Sequence, residues 1–198
     1  MQNNVILAES TLENVEKNYT FIVANVETEF TKSVVLLRIE YENISTTELV
    51  RNYSAFPVPY LPSEIYCTPR ALIPEMFRSV GSNQGSQDPD IDYIQSWAVV
   101  DPKLYLYFLE YQCFQQQYKF RQKIAALENM IWVIRYESLE YRDTALNLLA
   151  YCLKKKGFLV EAYKVLSRSL KLRNHKNAAK WQIGCLVNTA FRSLGSIC

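Results

Sequence analysis

The stretch GSNQGSQDPDID at 81–92 sets two Gly-Ser pairs ahead of Asp90 and Asp92. A glycine turn that cradles a triphosphate, with two carboxylates that hold divalent metal ions, is the chemistry of nucleotidyl transfer. That chemistry needs the carboxylates on a buried strand, far enough from the turn for both to converge on one metal pair. Here seven residues, NQGSQDP, separate Ser82 from Asp90, Pro89 directly precedes Asp90, and YIQSW follows Asp92 in place of an apolar strand. Gly, Ser and Asp at this density make turns, so 81–96 reads as a solvent loop. His175, the sole histidine, lies in the basic turn RNHKN. That rules out His-rich metal sites and speaks against Ser-His-Asp or Cys-His catalysis. A P-loop and a dinucleotide fingerprint are both missing from the sequence. The sequence therefore offers no catalytic, cofactor-binding or metal-ligating residue, and a non-enzymatic protein is the expectation.

The chain has 198 residues, 49% of them hydrophobic, with only five Gly and seven Pro, which suits one domain or a short repeat array. No apolar run approaches the roughly 20 residues of a membrane span, so no membrane partner is expected. The opening MQNNVILAESTLENVEK lacks the basic region, apolar stretch and cleavage site of a signal peptide. Five cysteines, odd in number, widely spaced and never in a CxxC pair, read as reduced thiols of a cytoplasmic protein. The net charge of +2 conceals a polarity: 1–150 carries 12 Lys and Arg against 19 Asp and Glu, whereas 151–198 carries 10 against Glu161 alone. Such asymmetry can mark an acidic or nucleic-acid partner at one end, or two halves that answer each other.

The elements that would position functional residues are helical. In YRDTALNLLAYCLKKKGFLVEAYKVLSRSLKLRN, Leu146, Leu149, Ala150 and Leu153 keep helical spacing, KKKG ends the helix, and Gly157 suits a left-handed cap. A second helix follows through Ala162, Val165, Leu166, Ser169, Leu170 and Leu172. This pair resembles the tetratricopeptide repeat. With Asp143 as position one, Leu149 and Ala150 fall at seven and eight, Gly157 at fifteen, Ala162 at twenty and Ser169 at twenty-seven. A step of 34 residues reaches Asn177 and sets Ile183 and Gly184 at seven and eight. DPKLYLYFLEYQCFQQQ, with Asp101 as N-cap and Pro102 in the first turn, and FRQKIAALENMIWVIRY form a weaker hairpin. Its apolar stripe is Ile124, Leu127, Ile131 and Ile134, and Ala125 takes position twenty. Upstream, Leu12, Val15, Tyr19, Ile22 and Val26 share a helical face, and SVVLLRIEY fits a strand or, preferably, a helix. AFPVPYLPS at 55–63 is an extended connector, and Thr68-Pro69 starts a helix that runs to about Val80, bent at Pro74. The expected fold is all-α, with antiparallel helical hairpins stacked as a short tetratricopeptide-like array. A leading helical segment with the connector covers 1–80, the loop 81–96 and the hairpins 97–198.

Such an array binds a protein or peptide along the face of its first helices, here Tyr105, Tyr111, Gln112, Asn147, Tyr151, Lys154 and Trp181. A basic surface of Lys155, Lys156, Lys164, Arg168 and Lys171 suits phosphate, nucleic acid or acidic peptides. Aromatic residues do not alternate with these cations, so a solvated outer face is the favoured reading. NAAKWQIGCLVNTAFRSLGSIC provides a first helix without a second, which leaves apolar residues to pack back on the array, to self-associate or to meet a continuing chain. A second resemblance rests on EIYCTPRALIPEMFRS, WAVVDPKLYLYFLEYQC, TALNLLAYC and NAAKWQIG. These segments are similar to the helical C-terminal region of invertebrate proteins of the male-abnormal-twenty-one and cyclic-GMP-AMP-synthase-like nucleotidyltransferase family. The resemblance implies a catalytic-type domain outside this chain and, as the alternative function, part of an innate-immune sensor of nucleotides or nucleic acid. It carries no catalytic residue onto any position here.

Overall fold

The computed structural model describes residues 22–23, 54–55, 57–78 and 97–195, of which 22–23, 54–55 and 193–195 are described by backbone alone. Along the chain these are β1 (Ile22–Val23), β2 (Ser54–Ala55), β3 (Val58–Tyr60), a 3-10 turn (Pro62–Glu64), α1 (Ile73–Met76) and β4 (Ala98–Val100). Then come α2 (Pro102–Gln116), α3 (Phe120–Tyr136), α4 (Arg142–Lys155), α5 (Leu159–Leu172) and α6 (Ala179–Gly195). The described residues are mostly helical, with six helices and little strand, in keeping with an all-α class. The chain forms two compact units that are each discontinuous in sequence: 1–58 with 100–140, and 59–99 with 141–198.

In the first unit β1 and β2 pair in parallel, Ile22 opposite Ser54 and Val23 opposite Ala55. This corrects the helix expected through Ile22: β-branched Ile and Val take the ladder in preference to the helical face. The rest of that helix, the run SVVLLRIEY and the loop at 81–96 lie outside the described residues. Helix α2 begins where the sequence places it, with Asp101 in extended geometry as N-cap and Pro102 in the first turn. The Asp101 carboxylate reaches away from the helix to accept the Glu140 N–H at 3.2 Å. A three-residue turn joins α2 to α3, and the two helices pack together. In that turn Lys119 N–H bonds Phe114 C=O, Tyr118 N–H bonds Gln115 C=O, and Tyr118 adopts a left-handed φ of 57°. This is the six-to-one and five-to-two cap that usually carries glycine. The buried stripe of α3 is Ala126, Leu127, Met130, Val133 and Ile134. It lies rotated from the expected one: Ile131 is 38% exposed, and Ala126, not Ala125, is the small buried residue. Lys103 and Glu137 form an ion pair, and Lys103 Nζ also lies 5.5 Å from the Trp132 ring.

In the second unit β3 and β4 form a two-stranded sheet, so the connector expected to be extended over 55–63 is a strand at Val58–Tyr60 and enters a 3-10 turn at Pro62. Glu64 folds back to accept the Leu61 N–H at 2.9 Å and closes the 3-10 turn. Helix α1 is a single turn with Pro74 near its start. The longer helix bent at Pro74 is thus corrected: a proline lacks the N–H that a helix interior needs but fits the first turn. Helices α4 and α5 pack against each other through a cap at Gly157, whose φ is 85°. Gly157 N–H bonds Lys154 C=O and Phe158 N–H bonds Leu153 C=O, both at 3.0 Å. Ala150, Ala162, Leu166, Ala179 and Leu186 form the core, flanked by Leu153, Leu159, Val165, Leu170 and Ile183. The small residues at expected contact positions are buried: Ala150 at 1%, Ala162 and Ser169 at 0%. Helix α6 packs on α5 and, less extensively, on α4. Its Gly184, expected to allow close approach, is exposed, and a Cβ there would meet nothing within 4 Å. Trp181, Val187 and Phe191 of the same helix face solvent.

Candidate functional site

Two features of the second unit lie side by side: a buried polar cluster and an open groove. The cluster is built on Glu75 of α1, which is 1% exposed. Its Oε1 accepts from the Asn147 side-chain amide at 2.7 Å. Its Oε2 has no hydrogen bond and lies 3.8 Å from the Arg78 guanidinium. Burial pushes the Glu75 carboxyl up to about 7, against the opposing pull of the Asn147 bond and of Arg78. The Asn147 amide also donates to Asn177 Oδ1 at 3.1 Å. That same oxygen accepts the Ala179 N–H at 2.8 Å, so Asn177 caps the start of α6. Asn177 in turn donates to Ser169 C=O and Arg173 C=O at 3.1 and 2.9 Å, and Ser169 Oγ donates to Asp143 C=O at 3.2 Å. Arg173 pairs with the buried Asp143 at 3.3 Å. The hydrogen-bonded chain therefore runs from α1 through α4 and α5 to the first residues of α6.

The groove, about 200 Å³, lies next to this cluster. Ala150 and Tyr151 of α4, Leu166 of α5 and Leu186 of α6 give it an apolar floor. Arg70, Ala71 and Pro74 also line it, together with Trp181, Gln182 and Cys185 of α6 and Lys154 at the last turn of α4. Among the described residues no carboxylate or imidazole lines it. Trp181 is 68% exposed. Burial, its main cause, raises the Tyr151 hydroxyl above its ordinary range, with Arg70 pulling it the other way. The Gln182 amide nitrogen is shielded from water and has no acceptor. Burial likewise pushes the Cys152 thiol up, so that side chain acts as a neutral core residue.

Of the residues expected to form the binding face, the groove brings together Tyr151, Lys154 and Trp181. The others are placed differently. Tyr111 at 1% and Tyr105 at 8% are buried in the first unit, where the Tyr105 ring stacks on Phe108 at 6.1 Å. Gln112 is half-buried there. Asn147 is 1% exposed and spends its amide on Glu75 and Asn177, so it is an internal brace and not a contact residue. Lys155, Lys164, Arg168 and Lys171 are exposed, and Lys156 is half-buried over the Phe158 ring at 5.3 Å. Sequence reasoning missed Arg70, Pro74, Gln182 and Cys185, which are scattered along the chain with no shared spacing. Glu75 left one trace, an acid inside the apolar run ALIPEMF. Among the described residues no group of His, Cys, Asp and Glu is placed to hold a metal ion, and no helix is long and apolar enough to cross a membrane.

No family model matches the sequence, and neither a curated protein nor a solved structure is significantly similar to it.

Proposed function

We propose that the chain is a non-enzymatic interaction module that seats a segment of a partner protein in the groove of its second unit. The observation that carries this reading is the convergence of Tyr151, Lys154 and Trp181 on an apolar floor made by three helices. An apolar depression with a few polar groups at its edge is what a protein uses to hold and orient a ligand. A largely exposed indole beside it provides contact area at small entropic cost. Among the described residues the lining has cations, an amide, a phenol and a thiol, and no carboxylate or imidazole.

Selection from a displayed random-peptide library tests this reading, with the intact chain as bait and Trp181→Glu as counter-bait. Because Trp181 lies mostly in solvent, the substitution should leave the fold intact. Enriched peptides should bind the parent and lose most of their affinity for the variant. A selection that enriches nothing, or peptides indifferent to Trp181→Glu, would overturn the proposal.

A further inference from the structure

We infer that the groove is selective for a protein segment in which a large apolar side chain is flanked by carboxylate side chains. This rests on the reading of the groove as a peptide site and adds the chemistry of its occupant. At about 200 Å³ the groove is smaller than the roughly 300–1,000 Å³ of a pocket for a drug-sized ligand. It therefore takes one large side chain and the adjoining backbone. Ala150, Leu166 and Leu186 at its floor ask for that side chain to be apolar.

The rim sets the charge. Arg70 arrives from the turn before α1 and Lys154 from the end of α4, and among the described residues no acid lines the groove to offset them. Neither cation is ion-paired with a described acid. Lys155 extends the positive edge, its amine 5.7 Å from the Tyr151 ring. The carboxyl end of a helix ordinarily repels an anion through its free carbonyls. At α4 the turn fills three of them: Cys152, Leu153 and Lys154 C=O accept from Lys156, Phe158 and Gly157 N–H. The partnerless Gln182 amide adds a donor that a backbone or side-chain oxygen of the occupant satisfies once the side chain turns toward it. Two cations on separate elements can each take one carboxylate of the occupant, which a single chain-terminal carboxylate does not provide.

The test is an NMR titration of the full chain, followed at the Trp181 indole, with three short probes. The first is an acetylated and amidated pentapeptide of alanine, aspartate, phenylalanine, aspartate and alanine. The second replaces both aspartates by asparagine, and the third is that neutral peptide with a free terminal carboxylate. The acidic peptide should bind about tenfold more tightly than its neutral twin, the gain expected of two partly exposed ion pairs. The gap should narrow as salt rises from about 0.05 to about 0.5 M. The double variant Arg70→Gln, Lys154→Gln should lose the preference but still take the neutral peptide. Equal affinity for the acidic and neutral peptides, a preference that survives in the double variant, a free-carboxylate peptide that matches the acidic one, or no binding by any probe would each overturn the inference. Displayed peptides that are neutral yet sensitive to Trp181→Glu would leave the peptide-site reading standing without it.

Discussion

Glu75 is a carboxyl group held away from water with one hydrogen bond, from Asn147, and a guanidinium at 3.8 Å. Its ionised form loses more by desolvation than these partners return, so its pKa rises to about 7 from 4.5. Between those values the folded protein binds a proton that the unfolded chain releases. Stability from this group is therefore complete below about pH 4.5 and fades as the pH climbs through about 7. Urea unfolding should show a loss of about 2–3 kcal/mol between about pH 5 and pH 8, in line with the size of the shift. In Glu75→Gln, which copies the neutral carboxyl in shape, most of that slope should vanish and stability at pH 8 should rise. A parent whose stability is flat across this range, or a variant with an undiminished slope, would contradict the assignment. The sequence hinted at Glu75 by its apolar neighbours, but nothing near it in the chain announced Asn147 as its partner.

At the scale of the element, the helix ends reveal which local rules the chain obeys. Gly157 and Tyr118 occupy equivalent left-handed positions after α4 and α2. Glycine meets that backbone without strain, whereas a side chain there costs about 1 kcal/mol. Gly157→Ala should therefore destabilise by about 1 kcal/mol and Tyr118→Gly, at a residue 94% exposed, should stabilise by a similar amount. Gly184 is the opposite case, an exposed helical glycine with open space where a Cβ would stand. Gly184→Ala should raise stability by about 0.5–1 kcal/mol, because alanine restricts the unfolded chain and favours the helix. Thermal or urea unfolding of the three variants checks all of them. Loss of stability in Gly184→Ala would mean that this face of α6 meets a neighbour.

For the whole molecule, the two compact units each contain a packed helix pair, α2 with α3 and α4 with α5. Overpacking one of them should therefore register first in that unit. Ala162, 0% exposed within the α4–α5–α6 core, has no room for three more carbons. Ala162→Leu should cost about 1–3 kcal/mol, while Lys164→Leu on the exposed side of α5 should change stability by less than about 0.5 kcal/mol. In Ala162→Leu, amide hydrogen exchange should accelerate in α4, α5 and α6 well before it does in α2 and α3. Equal acceleration in all five helices would show that the chain unfolds as one cooperative body.

What the sequence determined by itself is what neighbours in the chain decide. Pro102 and Asp101 start α2, Gly157 ends α4, and Ala150, Ala162 and Ser169 keep the spacing of a tight helical pair, all legible because caps and helical period act within a few residues. Tertiary structure decided which of two adjacent alanines faces inward on α3, since a rotation by one residue leaves the helix itself equally good. It also turned Asn147 from a surface candidate into the brace between α1 and the cap of α6, with a partner 72 residues away. The groove belongs to the same class. Arg70, Lys154 and Trp181 share no spacing that a reader of the chain can recognise, and only the packing of α6 on α4 and α5 sets their side chains around one apolar floor.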